Sequence, residues 1–200
     1  MLDIVKYAEQ GNQEKVFELI DSGVSMESYD KEENVSVLTM AISMGHIDLV
    51  EALIDKGAKV EIKSKKDDTL ELLVYEDNVD MMHFLLKCGL NKGIKKEQMD
   101  EVLMSAVDQG FILMAETLID IGGADINVKD KEGYGLLHKA ILKKDKNMVI
   151  FLVKKGINYK TTVKNVPLPV ALCVMTRQPE LCNILRDPKS YIGYTKVIQN

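Results

Sequence analysis

Three histidines and three cysteines are the side chains in this 200-residue chain best suited to metal binding or nucleophilic chemistry, and their spacing limits what they can do. His83 stands three residues after Asp80 and seven after Glu76, a spacing that would put three metal-ligand types on one face of an unbroken helix. The repeat described below puts a turn at Asp77-Asn78, so Glu76 and Asp80 do not share one helix and a solvated face is expected. Cys173 and Cys182 have no histidine near them in sequence to act as base, and both fall where other copies of the repeat carry core residues. With Cys88 the cysteines are odd in number and not closely paired, which reads as free thiols in a reducing compartment. Neither G-x-G-x-x-G nor G-x-x-x-x-G-K-[ST] occurs, so no phosphate cradle is predicted. Asn34-Val35-Ser36 has the form of a glycosylation acceptor and is read as an accidental match. No catalytic residue, metal ligand or cofactor site is assigned, and the chain is expected not to be an enzyme.

Composition narrows the partners. A net charge of −5 and a pI near 5.3 provide no global field to attract nucleic acid or an anionic membrane, so neither is expected as a partner. At 46% hydrophobic and 28% charged residues the chain has the make-up of a folded domain, not of a disordered one. No run approaches the apolar length of a membrane span, and MLDIVKYAEQGNQEKV lacks the marks of a secretory leader. The expectation is a chain that starts at or near Met1 and stays in the cytoplasm.

What must position these residues is a repeat. Gly23, Gly57, Gly89, Gly122 and Gly156 fall 34, 32, 33 and 34 residues apart. Each follows a bulky apolar doublet: Leu19-Ile20, Leu53-Ile54, Leu85-Leu86, Leu118-Ile119 and Leu152-Val153, with Ile184-Leu185 before Pro188 as a sixth. Seven positions before each marker stand Val16, Val50, Met82, Ala115, Val149 and Leu181, completing a helical stripe. An earlier helix in each copy carries Ile4, Leu38, Leu70, Leu103 or Leu137, followed by the pairs Tyr7-Ala8, Ala41-Ile42, Leu73-Val74, Ala106-Val107 and Ala140-Ile141. Gly11, Gly45 and Gly110 supply the turn between the two helices, and the marker glycines stop the second. Polar, partly β-branched stretches such as AKVEIKSKKDD read as extended hairpin loops leading to the next copy. One such pair of helices cannot bury an apolar face alone, so stability must come from stacking.

Asp130-Lys131-Glu132-Gly133-Tyr134-Gly135-Leu136-Leu137-His138-Lys139-Ala140-Ile141 resembles the D-x-x-G-x-T-P-L-H-x-A-A signature of the ankyrin repeat family, with Gly135 for Thr and Leu136 for Pro. Repeat two fits through Leu38, Ala41, Gly45, His46, Val50, Leu53, Ile54, Gly57 and Ala58, and repeat four through Gly122-Gly123-Ala124-Asp125-Ile126-Asn127, one residue longer than usual. Only repeat six keeps a Pro-Leu, at Pro167-Leu168. The resemblance implies an all-α solenoid of stacked helix-turn-helix units with β-hairpin loops over residues 1–188, in units of about 1–29, 30–62, 63–93, 94–128, 129–160 and 161–188. Residues 189–200 form a C-terminal tail outside it, whose Tyr191, Ile192 and Tyr194 are expected to cover the last repeat. The family's histidine at the His138 position ties loop to helix through backbone hydrogen bonds, and His46 sits at the family's Gly-His turn.

The resemblance further implies a protein-interaction module whose concave side, lined by first helices and hairpin tips, recognises a partner protein. Taking the residue before each first-helix pair and the two after it as exposed selects Met40, Met44, Tyr75, Asp108, Lys139 and Lys143, and the hairpins add Tyr29, Tyr134 and Tyr159 as partner-binding residues. The chain alone is expected to be monomeric. Alternatives are an inhibitor or immunity-type antagonist of a toxin or enzyme, a secreted or viral effector delivered into a host cell to act on a host protein, and an enzyme with an unrecognised site around Asp80, His83 or His138.

Overall fold

In the computed structural model of the chain, which describes residues 3–30, 35–60, 69–160 and 166–189, the repeat takes the form of short helices joined in pairs by tight turns. They are α1 (Asp3–Glu9) and α2 (Gln13–Asp21), α3 (Val37–Ser43) and α4 (Ile47–Asp55), and α5 (Thr69–Tyr75) and α6 (Val79–Lys87). There follow α7 (Lys96–Gln109) and α8 (Ile112–Asp120), α9 (Leu136–Leu142) and α10 (Lys146–Lys154), and α11 (Pro169–Met175) and α12 (Pro179–Arg186). All but α7 are shorter than the ~12–15 residues at which an isolated helix becomes marginal, so packing must hold them. None of the described helices is long and apolar enough to cross a membrane. The chain divides into an N-terminal half, residues 1–102, and a C-terminal half, 103–200, the division falling inside α7.

In the N-terminal half the first helices pack side by side, α1 on α3 and α3 on α5, while α2, α4 and α6 each back their own partner. Ala8, Val16, Ile42, Val50, Leu53, Val74, Met82 and Leu85 are buried to within 1% of completely. Leu19 and Ile20 are only half-buried, because α2 has a neighbour on one side alone. Lys56 compensates in part, its ammonium lying 4.7 Å from the centroid of the Phe17 ring. The hairpin expected between copies is present as β1 (Tyr29–Asp30) paired antiparallel with β2 (Val35–Ser36), Tyr29 opposite Ser36 and Asp30 opposite Val35. Ser36 then caps α3, its Oγ accepting from the Thr39 amide at 3.0 Å. Asn34 and residues 61–68 lie outside the described residues.

Repeats three and four are joined without a hairpin. A 3₁₀ turn at Leu90–Lys92 follows α6, and α7 starts at Lys96, seven residues before the Leu103 that matches Leu38 near the start of α3. The helix is 14 residues long for this reason, double the length of α3, α5 and α9. Met99 and Val102, on the added turns, are buried.

In the C-terminal half α9 packs on α10 and α11, and α12 closes against α10 and α11. Met114, Ala115, Leu118, Leu136, Ala140, Ile141, Met148, Val149, Leu152 and Cys173 have no exposed surface. A single bridge between Lys129 and Gly135 stands for the hairpin of repeat five. The marker glycine of repeat four needs a correction: the left-handed residue after α8 is Gly123, at φ +75°, whereas Gly122 is buried. The extra residue in Gly122-Gly123-Ala124 moves the chain reversal one place along, and only glycine takes that conformation without strain. Lys164 and residues 190–200, including Tyr191, Ile192 and Tyr194, lie outside the described residues.

The turns inside the six helix pairs all pass through the left-handed region, at Gly11, Gly45, Asp77, Gly110, Lys144 and Arg177. Aspartate tolerates that conformation, since its short side chain bonds locally, but lysine and arginine have no such excuse. Lys144, at φ +59°, is exposed and makes no ion pair among the described residues. Lys144→Gly is therefore expected to stabilise the fold by up to about 1 kcal/mol, relief of backbone strain exceeding the entropy glycine adds to the unfolded chain. Urea denaturation followed by circular dichroism measures it.

Candidate partner-binding surfaces

The described first helices bury the side chains of their apolar pairs to differing extents, and α3 is the most enclosed. Packed among α1, α4, α5 and β2, it buries every residue from Val37 to Ile42. Met40 is among them at 8% exposure, so the expectation that the residue before the small pair faces outward is corrected. Leu72, its counterpart in α5, and Lys139, its counterpart in α9, are half-buried. The large exposed side chains of α5 and of the turn after α3 come after the pair. Met44 is 47% exposed and Tyr75, the last residue of α5, is 73% exposed; Tyr29 on β1 is 45% exposed. The predicted tyrosine and methionine sites of the N-terminal half thus divide into three on the surface and one in the core.

In the C-terminal half, Asp108 and Lys143 are both on the surface but face one another, carboxylate to ammonium 3.4 Å. Exposed pairs of this kind contribute little to stability, and a partner would have to compete for either charge. Tyr134 is half-buried, its ring set edge-on to His138 of α9 with centroids 5.4 Å apart. Tyr159 is half-buried too and lines a shallow groove with Asn127, Gly135, His138 and Pro167. That groove encloses about 30 Å³, space for about two waters and not for a substrate.

His138 itself is committed. The Gly135 amide donates to its Nδ1 at 3.1 Å, which leaves the proton on Nε2, and Nε2 donates to the carbonyl of Pro167 at 2.9 Å. The ring therefore ties the start of its own helix to the loop of repeat six. His46 donates through Nε2 to the Glu9 carbonyl at 2.9 Å, joining repeat two back to repeat one. Asp80 and Glu76 are exposed on either side of the turn at Asp77-Asn78, Glu76 following α5 and Asp80 inside α6. Among the described residues no three His, Cys, Asp or Glu side chains form a metal set.

Cys173 is completely buried, and burial followed by the nearby Cys182 pushes its thiol from the ordinary 9.0 up to about 12. Because folding raises this value, the neutral thiol favours the fold; that contribution is whole below pH 9 and disappears as the pH rises toward about 12. Cys173 is expected to resist alkylation by iodoacetamide at pH 8 in the native chain and to react at once in denaturant, as read by intact-mass analysis.

Several exposed residues escaped the sequence reading. Met175 is 70% exposed, Val174 57% and Leu113 66%. Met175 holds the α11 position that Tyr75 holds in α5 and Leu142, at 54%, holds in α9. The doublets Leu152-Val153 and Ile184-Leu185 are 32 residues apart whereas Leu142 and Met175 are 33 apart, and that one-residue mismatch hid the equivalence.

Stacked helix-turn-helix pairs, hairpins and a Leu-His pair bonded across repeats define a class, and the sequence profile described as ankyrin repeats matches residues 4–100 and 103–196. The chain belongs to the ankyrin repeat family, whose folds are protein-protein interaction modules. It is 25% identical over 186 residues to alpha-latrocrustotoxin-Lt1a of Latrodectus tredecimguttatus, covering 85% of this chain and 12% of the toxin. It is 24% identical over 140 residues to the probable 26S proteasome regulatory subunit p28 of Saccharomyces cerevisiae, covering 68% of this chain and 61% of that one. The chain thus spans less than two thirds of each of these relatives. Among solved structures it is similar to an ankyrin repeat domain from Acinetobacter baumannii, with TM-score 0.74, 18% identity and 91% and 95% of the two chains covered. It is also similar to a chain in the complex of a predatory endopeptidase with an immunity protein from Bdellovibrio bacteriovorus, with TM-score 0.70, 22% identity and 94% and 99% covered.

Proposed function

We propose that this chain holds a partner protein through the exposed ends of its first helices and its hairpin tips, and carries out no catalysis itself. One observation carries the reading. The position just after the buried first-helix pair is Ser43, Tyr75, Asp108 and Leu142 in successive repeats and Met175 at the end of α11, while the positions before it repeat the same apolar types. A surface that varies on a scaffold that does not is what selection of a particular partner requires, and exposed Tyr75 is of the residue type most often dominant in such contacts. Free in solution the chain is a monomer, and it works in the cytoplasm or, as an effector, inside a host cell.

Affinity purification from the native cell followed by mass spectrometry tests this reading. A protein partner should be enriched, and Tyr75→Ala should weaken its binding about thirtyfold or more while leaving the melting temperature unchanged, since Tyr75 is 73% exposed. Recovery of no specific protein would count against the whole proposal.

A second reading is favoured by the likeness to a chain of the endopeptidase–immunity complex: an antagonist that occludes the active site of an enzyme or toxin. Co-expression with a neighbouring toxin gene should then restore growth. Failure of rescue removes that candidate.

A further inference from the structure

At one edge of the C-terminal half, the repeat sets two apolar and two cationic side chains in matching places. Leu142 and Met175 end α9 and α11, and Lys144 and Arg177 are the left-handed residues of the turns that follow, each pair 33 residues apart. The turn after α11 is tied to the end of α9: Gln178 donates from Nε2 to the Ile141 carbonyl at 2.9 Å and, within its own turn, to Thr176 Oγ1 at 2.8 Å. Lys139 and Lys143 extend the cationic side along α9.

The backbone sharpens the point. Lys144 and Arg177 sit at φ +59° and +56°, where repeats one, two and four use glycine, so two long cations occupy positions at which the cheaper residue is also the one found elsewhere in this chain. Strain of that sort, kept where the fold does not need it, points to use. Three neighbouring cations of this half are engaged: Lys155 by Asp120 and Glu116 at 2.6 and 2.8 Å, Lys146 by Glu180 at 3.3 Å, and Lys143 by Asp108. Lys139, Lys144 and Arg177 have no ion-pair partner among the described residues.

Resting on the reading of the chain as a partner-binding module, we propose that this edge binds an acidic polypeptide segment with interspersed large apolar side chains. Leu142 and Met175 take the apolar groups; Lys139, Lys144 and Arg177 pair with the carboxylates, and Lys143 joins them by exchanging Asp108 for a carboxylate of the partner. Charge complementarity selects the acid, and the exposed leucine and methionine select a polypeptide over a nucleic acid, as does the net charge of −5 on the whole chain.

The test pans a random peptide library over the full chain at physiological salt. Enriched peptides should interleave Asp or Glu with Leu, Met or Phe, and the K144E/R177E variant should bind them at least about tenfold more weakly. K144G/R177G should also bind less tightly while melting no lower than the parent, which separates recognition from folding. Peptides without acidic residues, or acidic ones bound equally by K144E/R177E, would overturn the assignment. So would a single-stranded DNA oligonucleotide or phosphatidylserine vesicles binding more tightly than any peptide in a Lys144- and Arg177-dependent way. Peptides lost on Tyr75→Ala but not on K144E/R177E would overturn this edge and leave the general reading standing; no enrichment over a blank surface would count against both.

Discussion

Leu152→Ala should destabilise the protein by about 2–5 kcal/mol, among the largest effects any single substitution can have here. Leu152 lies in α10 with no exposed surface, and α9 and α12 pack against that helix. Removing three methyl-scale groups from such a site loses their transfer free energy and leaves a cavity that short packed helices can fill only in part. In a repeat protein the loss should stay local, because each copy is held by its neighbours and by nothing further off. Urea denaturation should therefore show the C-terminal half unfolding earlier. Leu142→Ala, ten residues away and 54% exposed, should change stability by no more than about 0.5 kcal/mol. The same residue type is thus structural in one place and available for recognition in the other.

His138→Ala is expected to cost about 2–4 kcal/mol by a different route. The ring satisfies the Gly135 amide and the Pro167 carbonyl together, and it supports the Tyr134 ring edge-on. Alanine would leave both backbone groups short of a partner in a region where His138 itself is only 9% exposed. His46→Ala removes one exposed bond, to the Glu9 carbonyl, and should cost about 1 kcal/mol. Parallel denaturation curves of the two variants measure the difference. Equal losses would mean that the bond across repeats five and six does not brace the C-terminal half.

These contrasts show what a repeat sequence discloses. Spacing of Leu38, Leu70, Leu103 and Leu137 located the first helices because a core position has one requirement, an apolar side chain, and that requirement recurs at every copy. Gly11, Gly45 and Gly110 were legible as turns for the same reason. Met40 was misjudged because methionine suits a core and a surface equally, and only the enclosure of α3 by α1, α4, α5 and β2 decides between them. Gly123 was passed over for Gly122 since one inserted residue leaves the spacing almost unchanged while shifting the left-handed turn. The early start of α7 was illegible where a hairpin was expected, because a shortened loop and an extended helix use the same polar residues, Lys95 to Gln98. Lys144 and Arg177 carry no signal in the spacing; it is the backbone that places them at positions that favour glycine.

The central claim, that a partner is held at the exposed ends of the first helices, is tested most directly by site-specific photo-crosslinking. A benzophenone amino acid placed at Tyr75 or Leu142 should yield a crosslink to the same partner protein in the native cell. The same group at Glu51 or Lys154, exposed on the second helices α4 and α10, should yield none. Crosslinks from Glu51 and Lys154 that equal or exceed those from Tyr75 and Leu142 would contradict the account.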